Sequence, residues 1–77
     1  MTAAAAPDLD LRGTPCPLNF VRTRLALERL TPGDRLVVWL DAGEPDQLVT
    51  EGIAGAGHGV ERQAPVAGAV QLTITRA

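Results

Sequence analysis

The one side chain in this 77-residue chain whose type suits nucleophilic chemistry on sulfur is Cys16, its sole cysteine. It stands in Leu9-Asp10-Leu11-Arg12-Gly13-Thr14-Pro15-Cys16-Pro17-Leu18-Asn19, between two prolines. A single cysteine excludes an internal disulfide and a Cys-x-x-Cys redox pair. What remains is a thiol that acts as a nucleophile through its thiolate, or a thiol that serves as a small buried hydrophobe.

The elements around Cys16 decide how such a thiol would be placed. Leu9 and Leu11 alternate with Asp8, Asp10 and Arg12, the period of a short half-buried strand. Gly13 permits a turn, and Pro15 and Pro17 lack the N–H that strand pairing needs. Proline is favoured in the first turn of a helix, so the reading is strand, tight turn, helix, with Cys16 at or next to the helix N-cap. Helix-start N–H groups carry partial positive charge. They would stabilise a sulfur anion and could hold the terminal sulfur of a persulfide. Local physics leaves both the reactive and the buried reading open.

The segment Leu11-Arg12-Gly13-x-x-Cys16-Pro17 resembles the signature of the TusA/SirA-like sulfur carrier family. Thr31-Pro32-Gly33-Asp34 before an apolar strand, Asp41 at that strand's end and Gly57-His58 resemble it too, and the likeness runs from about Leu9 to Arg76. The family's Cys-Pro-x-Pro pattern has Asn19 at its fourth position here, which restores a backbone N–H and adds a side-chain amide near Cys16. The resemblance implies a two-layer architecture and a sulfur carrier. Cys16 would take sulfur as a persulfide from a cysteine desulfurase or rhodanese-like donor and hand it to an acceptor enzyme. The acceptor classes it implies are tRNA thiolation, molybdenum cofactor enzymes, sulfur oxidation and thiolated metabolites.

Composition bounds the alternatives. The chain is 45% hydrophobic and 21% charged, an ordinary globular balance, and its length suits one domain over residues 8–77. Residues 1–7 read as a frayed alanine-rich terminus rather than a signal peptide. Net charge is −2, all seven basic residues are arginine, and the aromatics are Phe20 and Trp39 alone. That argues against nucleic acid as a partner, and the absence of lysine excludes Schiff-base chemistry. The lone cysteine and the lack of a signal sequence point to a reducing cytoplasm. No apolar run approaches the ~18 residues of a membrane span.

After Cys16, Leu18 to Leu30 has the composition of a helix ending before Thr31-Pro32-Gly33-Asp34. Two apolar stripes compete on it. Phe20, Thr23, Leu27 and Leu30 carry no charge and are assigned to the core. Leu18, Val21 and Leu25 then lie outside beside Cys16, interleaved with Arg22, Glu28 and Arg29, as a docking patch with an apolar centre and a charged rim. The candidate partner-binding residues are thus Arg12, Pro17, Leu18, Asn19, Val21, Arg22 and Leu25. Arg12 is also a candidate source of positive charge, although its strand position directs it to solvent.

Arg35 to Leu40 is a central strand with Leu36, Val38 and Leu40 facing the helices and Val37 and Trp39 opposite. Leu48, Val49, Gly52, Ile53 and Ala56 have helical spacing. Glu44 and Asp46 fall at that helix's start, where negative charge suits the dipole. No spacing of ligands suggests a metal site, and no cofactor is implied. The family resemblance implies that Gly57-His58 is a fold feature rather than a catalytic one, and His58 is not taken as a base. Gly59 to Gln63 is a weak strand, Ala64 to Gly68 its turn, and Val70, Leu72 and Ile74 mark a half-buried strand.

The expected fold is a two-layer α/β sandwich, β-α-β-α-β-β. Its mixed four-stranded sheet contains a parallel pair joined by the first helix and a C-terminal hairpin, with both helices on one face. The expected function is a sulfur carrier or sulfurtransferase using Cys16. The alternative is a non-catalytic regulatory or protein-binding module with the same fold.

Overall fold

The computed structural model describes residues 7–15, 17–64 and 68–77. Cys16, residues 1–6 of the expected terminal tail and residues 65–67 of the expected hairpin turn lie outside the described residues. The elements run β1 (Leu9–Asp10), α1 (Leu18–Glu28), β2 (Arg35–Asp41), α2 (Glu44–Gly55), β3 (Gly59–Gln63) and β4 (Ala69–Thr75). Four strands form one sheet in the order β1-β2-β4-β3. β1 is parallel to β2, and β4 is antiparallel to both β2 and β3. This is the expected α/β class, a mixed four-stranded sheet with two helices.

The alternation along the central strands produces the two layers. Leu36, Val38 and Leu40 of β2 are buried together with Val70, Leu72 and Ile74 of β4, while Val37, Trp39, Gln71, Thr73 and Thr75 are half-buried on the open face. The helices cover the first set, adding Leu27 from α1 and Val49 and Ile53 from α2. Each such side chain taken fully from water contributes roughly 1.5–3 kcal/mol, so this cluster is where the fold's stability is concentrated.

β1 is shorter than its alternation suggests, because pairing stops at Asp10. Leu11 N–H still donates to Trp39 O at 2.8 Å, and the Leu11 side chain is buried in the core. α1 ends at Glu28 rather than Leu30. The N–H groups of Arg29 and Leu30 turn back to Ala26 O and Leu27 O, tightening the last turn.

The stripe assignment on α1 needs one correction. Thr23 and Leu27 are buried, Phe20 and Leu30 half-buried, but Asn19 is also fully inside. Thr23 Oγ1 donates to Asn19 O at 2.9 Å, which satisfies a buried hydroxyl within the helix itself. On α2, Leu48 is 46% exposed, although its helical spacing groups it with Val49 and Ile53. Val49 and Ile53 define the buried line, and Leu48 stands about 100° around the helix from Val49.

Asp46 and His58 act as structural pins. Asp46 is buried, its Oδ2 accepts the Gly43 N–H at 2.9 Å, and its Oδ1 lies 2.7 Å from Arg62 Nη2 of β3. One carboxylate thereby caps α2 and ties it to the sheet edge. His58 Nδ1 accepts the Ala77 N–H at 3.0 Å, joining the end of α2 to the chain's last residue.

Candidate functional site

The approach to α1 is built by a turn and held by a remote acid. Leu11, Arg12, Gly13 and Thr14 form a turn closed by Thr14 N–H to Leu11 O at 3.0 Å. Gly13 sits at φ +79° in the third position, a conformation that glycine adopts without steric cost. Its N–H donates to Asp41 Oδ2 at 2.7 Å. Asp41 ends β2, so the central strand fixes the loop that leads to Pro15 and Pro17.

Arg12 points the other way. Its Nε and Nη2 donate to Asp10 Oδ1 and Oδ2 at 2.8 and 2.6 Å, and its Cζ lies 4.8 Å from the centroid of Trp39. Hydrogen bonds from the Arg12 side chain, then from its backbone N–H, hold the Asp10 carboxyl down from 3.8 to about 2. The same pairing raises the Arg12 guanidinium above its ordinary range. Trp39 Nε1 in turn donates to Gln71 Oε1 at 3.0 Å. Arg12 therefore belongs to the open face of the sheet, its charge already matched by Asp10.

At the start of α1, Pro17 is the N-cap, and the first-turn donors are largely engaged. Asn19 N–H reaches Pro15 O at 3.2 Å, Val21 N–H reaches Pro17 O at 3.0 Å, and Phe20 N–H is taken by Asn19 Oδ1 at 2.7 Å. The expectation of a row of free N–H groups for a sulfur anion is thus narrowed to the N–H of Leu18, which has no partner among the described residues. Asn19 accounts for two of these bonds, since a proline there would bring neither the N–H nor the amide oxygen. With its side chain at 0% exposure, Asn19 is not on the docking surface where it was expected.

The structure does bring Pro17, Leu18, Val21, Arg22 and Leu25 to the exposed side of α1, with Leu18 and Val21 at 43% and Leu25 at 51% exposure. Two shallow depressions flank them. One lies between the helices, lined by Pro17, Phe20, Leu48 and Gly52, about 260 Å³ and almost wholly apolar in lining. Gly52 makes room for it: a Cβ there would stand 2.5 Å from Phe20 Cε1. The other lies between α1 and β1, lined by Leu9, Arg22, Leu25, Ala26 and Arg29. Arg29 lies on the charged rim of this surface as its spacing suggested, and Leu48, which comes from α2, was missed as a member of it.

His58 sits at the far end of the sheet. It precedes Gly59, which pairs with Thr75 near the Arg35 end, whereas Gly13 is bound at the Asp41 end. The length of β2 puts about 20 Å between those ends. Among the described residues, no three His, Asp or Glu side chains gather as a metal ion would require, and no helix is long and apolar enough to cross a membrane.

The family profile for Sulfurtransferase TusA matches residues 8–76, nearly the whole chain. The chain belongs to the TusA family. Two relatives, from Thermotoga maritima and Archaeoglobus fulgidus, are each described as "Putative sulfur carrier protein". They are 38% and 36% identical over 52 residues, 68% of this chain in both cases. The matched stretch spans 66% and 59% of their lengths, less than two thirds of either. A crystal structure of a SirA-like protein from Desulfitobacterium hafniense superposes with a TM-score of 0.78 at 26% identity. It covers 87% of this chain and 92% of its own. The family's two-helix, four-stranded fold is the one this chain adopts.

Proposed function

We propose that this protein carries sulfur as a persulfide on Cys16. The carrying observation is the family match over residues 8–76, which includes the chain's single cysteine in its Arg-Gly-x-x-Cys-Pro setting. In the reaction, the Cys16 thiolate attacks the outer sulfur of a donor protein's cysteine persulfide. A new S–S bond forms on Cys16, the donor's S–S bond breaks, and the donor leaves as a thiolate. The outer sulfur is then passed on when an acceptor's cysteine thiolate attacks it, forming a new S–S bond on the acceptor and returning Cys16 to its thiolate. No net oxidant or metal is required, since both steps are thiol–persulfide exchange.

The donor is a cysteine desulfurase or rhodanese-like protein, and the acceptor a sulfur-using enzyme. The setting is cytoplasmic, where a lone thiol stays reduced. Pro17, Leu18, Val21, Arg22 and Leu25 supply a docking face with an apolar centre and a charged rim. Incubation of the reduced protein with a cysteine desulfurase and cysteine, followed by intact mass, tests the reading.

One observation favours a second reading, a non-catalytic protein-binding module. The engaged N–H groups of Asn19, Phe20 and Val21 leave less help for a sulfur anion than a free helix start. An alkylation rate for Cys16 that titrates at the free-thiol value of about 8.5 supports that module. A lower midpoint supports the carrier.

A further inference from the structure

We propose that the depression between β1 and α1 is the seat of an acidic peptide segment of a partner protein, with an apolar side chain as its anchor. The proposal deepens the carrier reading and rests on it for the partner's reason to come.

The groove holds about 320 Å³ and is lined by Leu9, Arg22, Leu25, Ala26 and Arg29. Its floor is apolar, with Leu9 and Ala26 half-buried against the core and Leu25 half exposed. Arg22 lies on α1 and Arg29 is the residue capping its C-terminus, seven positions on, so they bracket the floor about 10 Å from each other along the helix axis.

The charge around the groove is one-sided. Arg12, Arg24 and Arg62 are each paired with a carboxylate. Arg22 and Arg29 have no acidic partner among the described residues. No carboxylate lines the groove. The acids of the neighbouring strand are turned to other work: Asp8 Oδ2 accepts the Val37 N–H at 2.8 Å, and Asp10 is bound to Arg12. Glu28, next to Arg29, reaches back to Arg24 at 3.6 Å.

Two unmatched guanidinium groups on either side of an apolar floor fit an apolar side chain with carboxylates before and after it. A lone phosphate or carboxylate would span one arginine and leave the floor uncovered. Single-stranded nucleic acid would need bases stacked on aromatics, and both aromatics lie elsewhere: Phe20 over Gly52, and Trp39 on the open sheet face under Arg12.

The test is a titration of the isotope-labelled, reduced full chain with a synthetic peptide, one leucine flanked by two acidic residues on each side, followed by amide NMR. Shifts should centre on Leu9, Arg22, Leu25, Ala26 and Arg29 and shrink with rising ionic strength. Affinity should fall about tenfold with Arg22→Glu and Arg29→Glu combined. Equal binding of a peptide with lysine in place of each acid would overturn the proposal. So would shifts centred on Pro17, Phe20, Leu48 and Gly52, undiminished binding when the leucine is replaced by glycine, or tighter binding of an oligouridine probe at the same residues. No sulfur is transferred in this experiment, so its failure leaves carriage by Cys16 standing, and a failed sulfur-loading assay leaves the groove's binding standing.

Discussion

The Gly13 N–H donates to Asp41 Oδ2 at 2.7 Å, a bond between residues 28 apart in sequence that fastens the turn before Cys16 to the end of the central strand. Gly13 and Asp41 are both part of the sequence likeness to the family, and their contact supplies a physical reason for the pair. Replacing Asp41 with Ala removes the acceptor and should cost about 1 kcal/mol of stability. Sulfur loading should slow by more than that loss of folded protein explains, because the turn comes directly before Pro15 and Cys16 in the chain. Asp41→Asn, which keeps an acceptor oxygen, should recover most of both. Chemical denaturation and a loading time course on the same variants check this.

Asp10 and Arg12 should stay paired far into acid. The Asp10 carboxyl is depressed from 3.8 to about 2 by hydrogen bonds from the Arg12 side chain and then from its backbone N–H. A depressed folded-state value means the pair's stabilisation is complete above 3.8 and is lost as pH falls through about 2. A carboxyl-carbon NMR titration should place the Asp10 midpoint near 2 and move it up toward 3.8 in Arg12→Ala. Both side chains are more than two-fifths exposed, so at neutral pH that variant should unfold at nearly the wild-type temperature.

The contact between the helices depends on Gly52. A Cβ there would lie 2.5, 3.0 and 3.2 Å from three Phe20 ring atoms, so the ring must move. Gly52→Ala should destabilise the domain by about 1–3 kcal/mol despite alanine's better helix propensity. Denaturant unfolding measures the cost, and pairing with Phe20→Leu should relieve much of it, a coupling that a double-mutant cycle reads directly.

Much of this fold is legible in the sequence because one face of each central strand is buried and the other is not. Leu36, Val38 and Leu40, and then Val70, Leu72 and Ile74, announce that face through strict alternation, and the structure buries all six. The buried polar residues are less legible. Asn19 interrupts an apolar stripe and reads as a surface amide, yet it is enclosed, with its carbonyl serving Thr23 and its side chain serving Phe20 N–H. Asp46 reads as a helix-start acid, which it is, but its reach to Arg62 depends on β3 folding back beside α2. Of the candidate site, the exposed face of Leu18, Val21, Arg22 and Leu25 follows from helical spacing. The grooves beside it do not, because Leu9, Leu48 and Gly52 come from other elements.

The end of α1 is held by a residue almost fifty positions away. Arg76 Nε donates to Leu27 O at 2.8 Å, placing a cation and a donor at the helix's negative end. Arg76→Ala should cost about 1.5 kcal/mol and speed amide exchange in the last turn of α1. Arg76→Lys should recover only part, since lysine keeps the charge but not the guanidinium geometry.

The central claim is that Cys16 carries sulfur, and intact mass of the reduced protein after exposure to a cysteine desulfurase and cysteine tests it most directly. The account predicts a gain of one sulfur atom that a reductant reverses and that Cys16→Ser abolishes. No gain with desulfurase and rhodanese-like donors alike, or a gain that persists in Cys16→Ser, would contradict it.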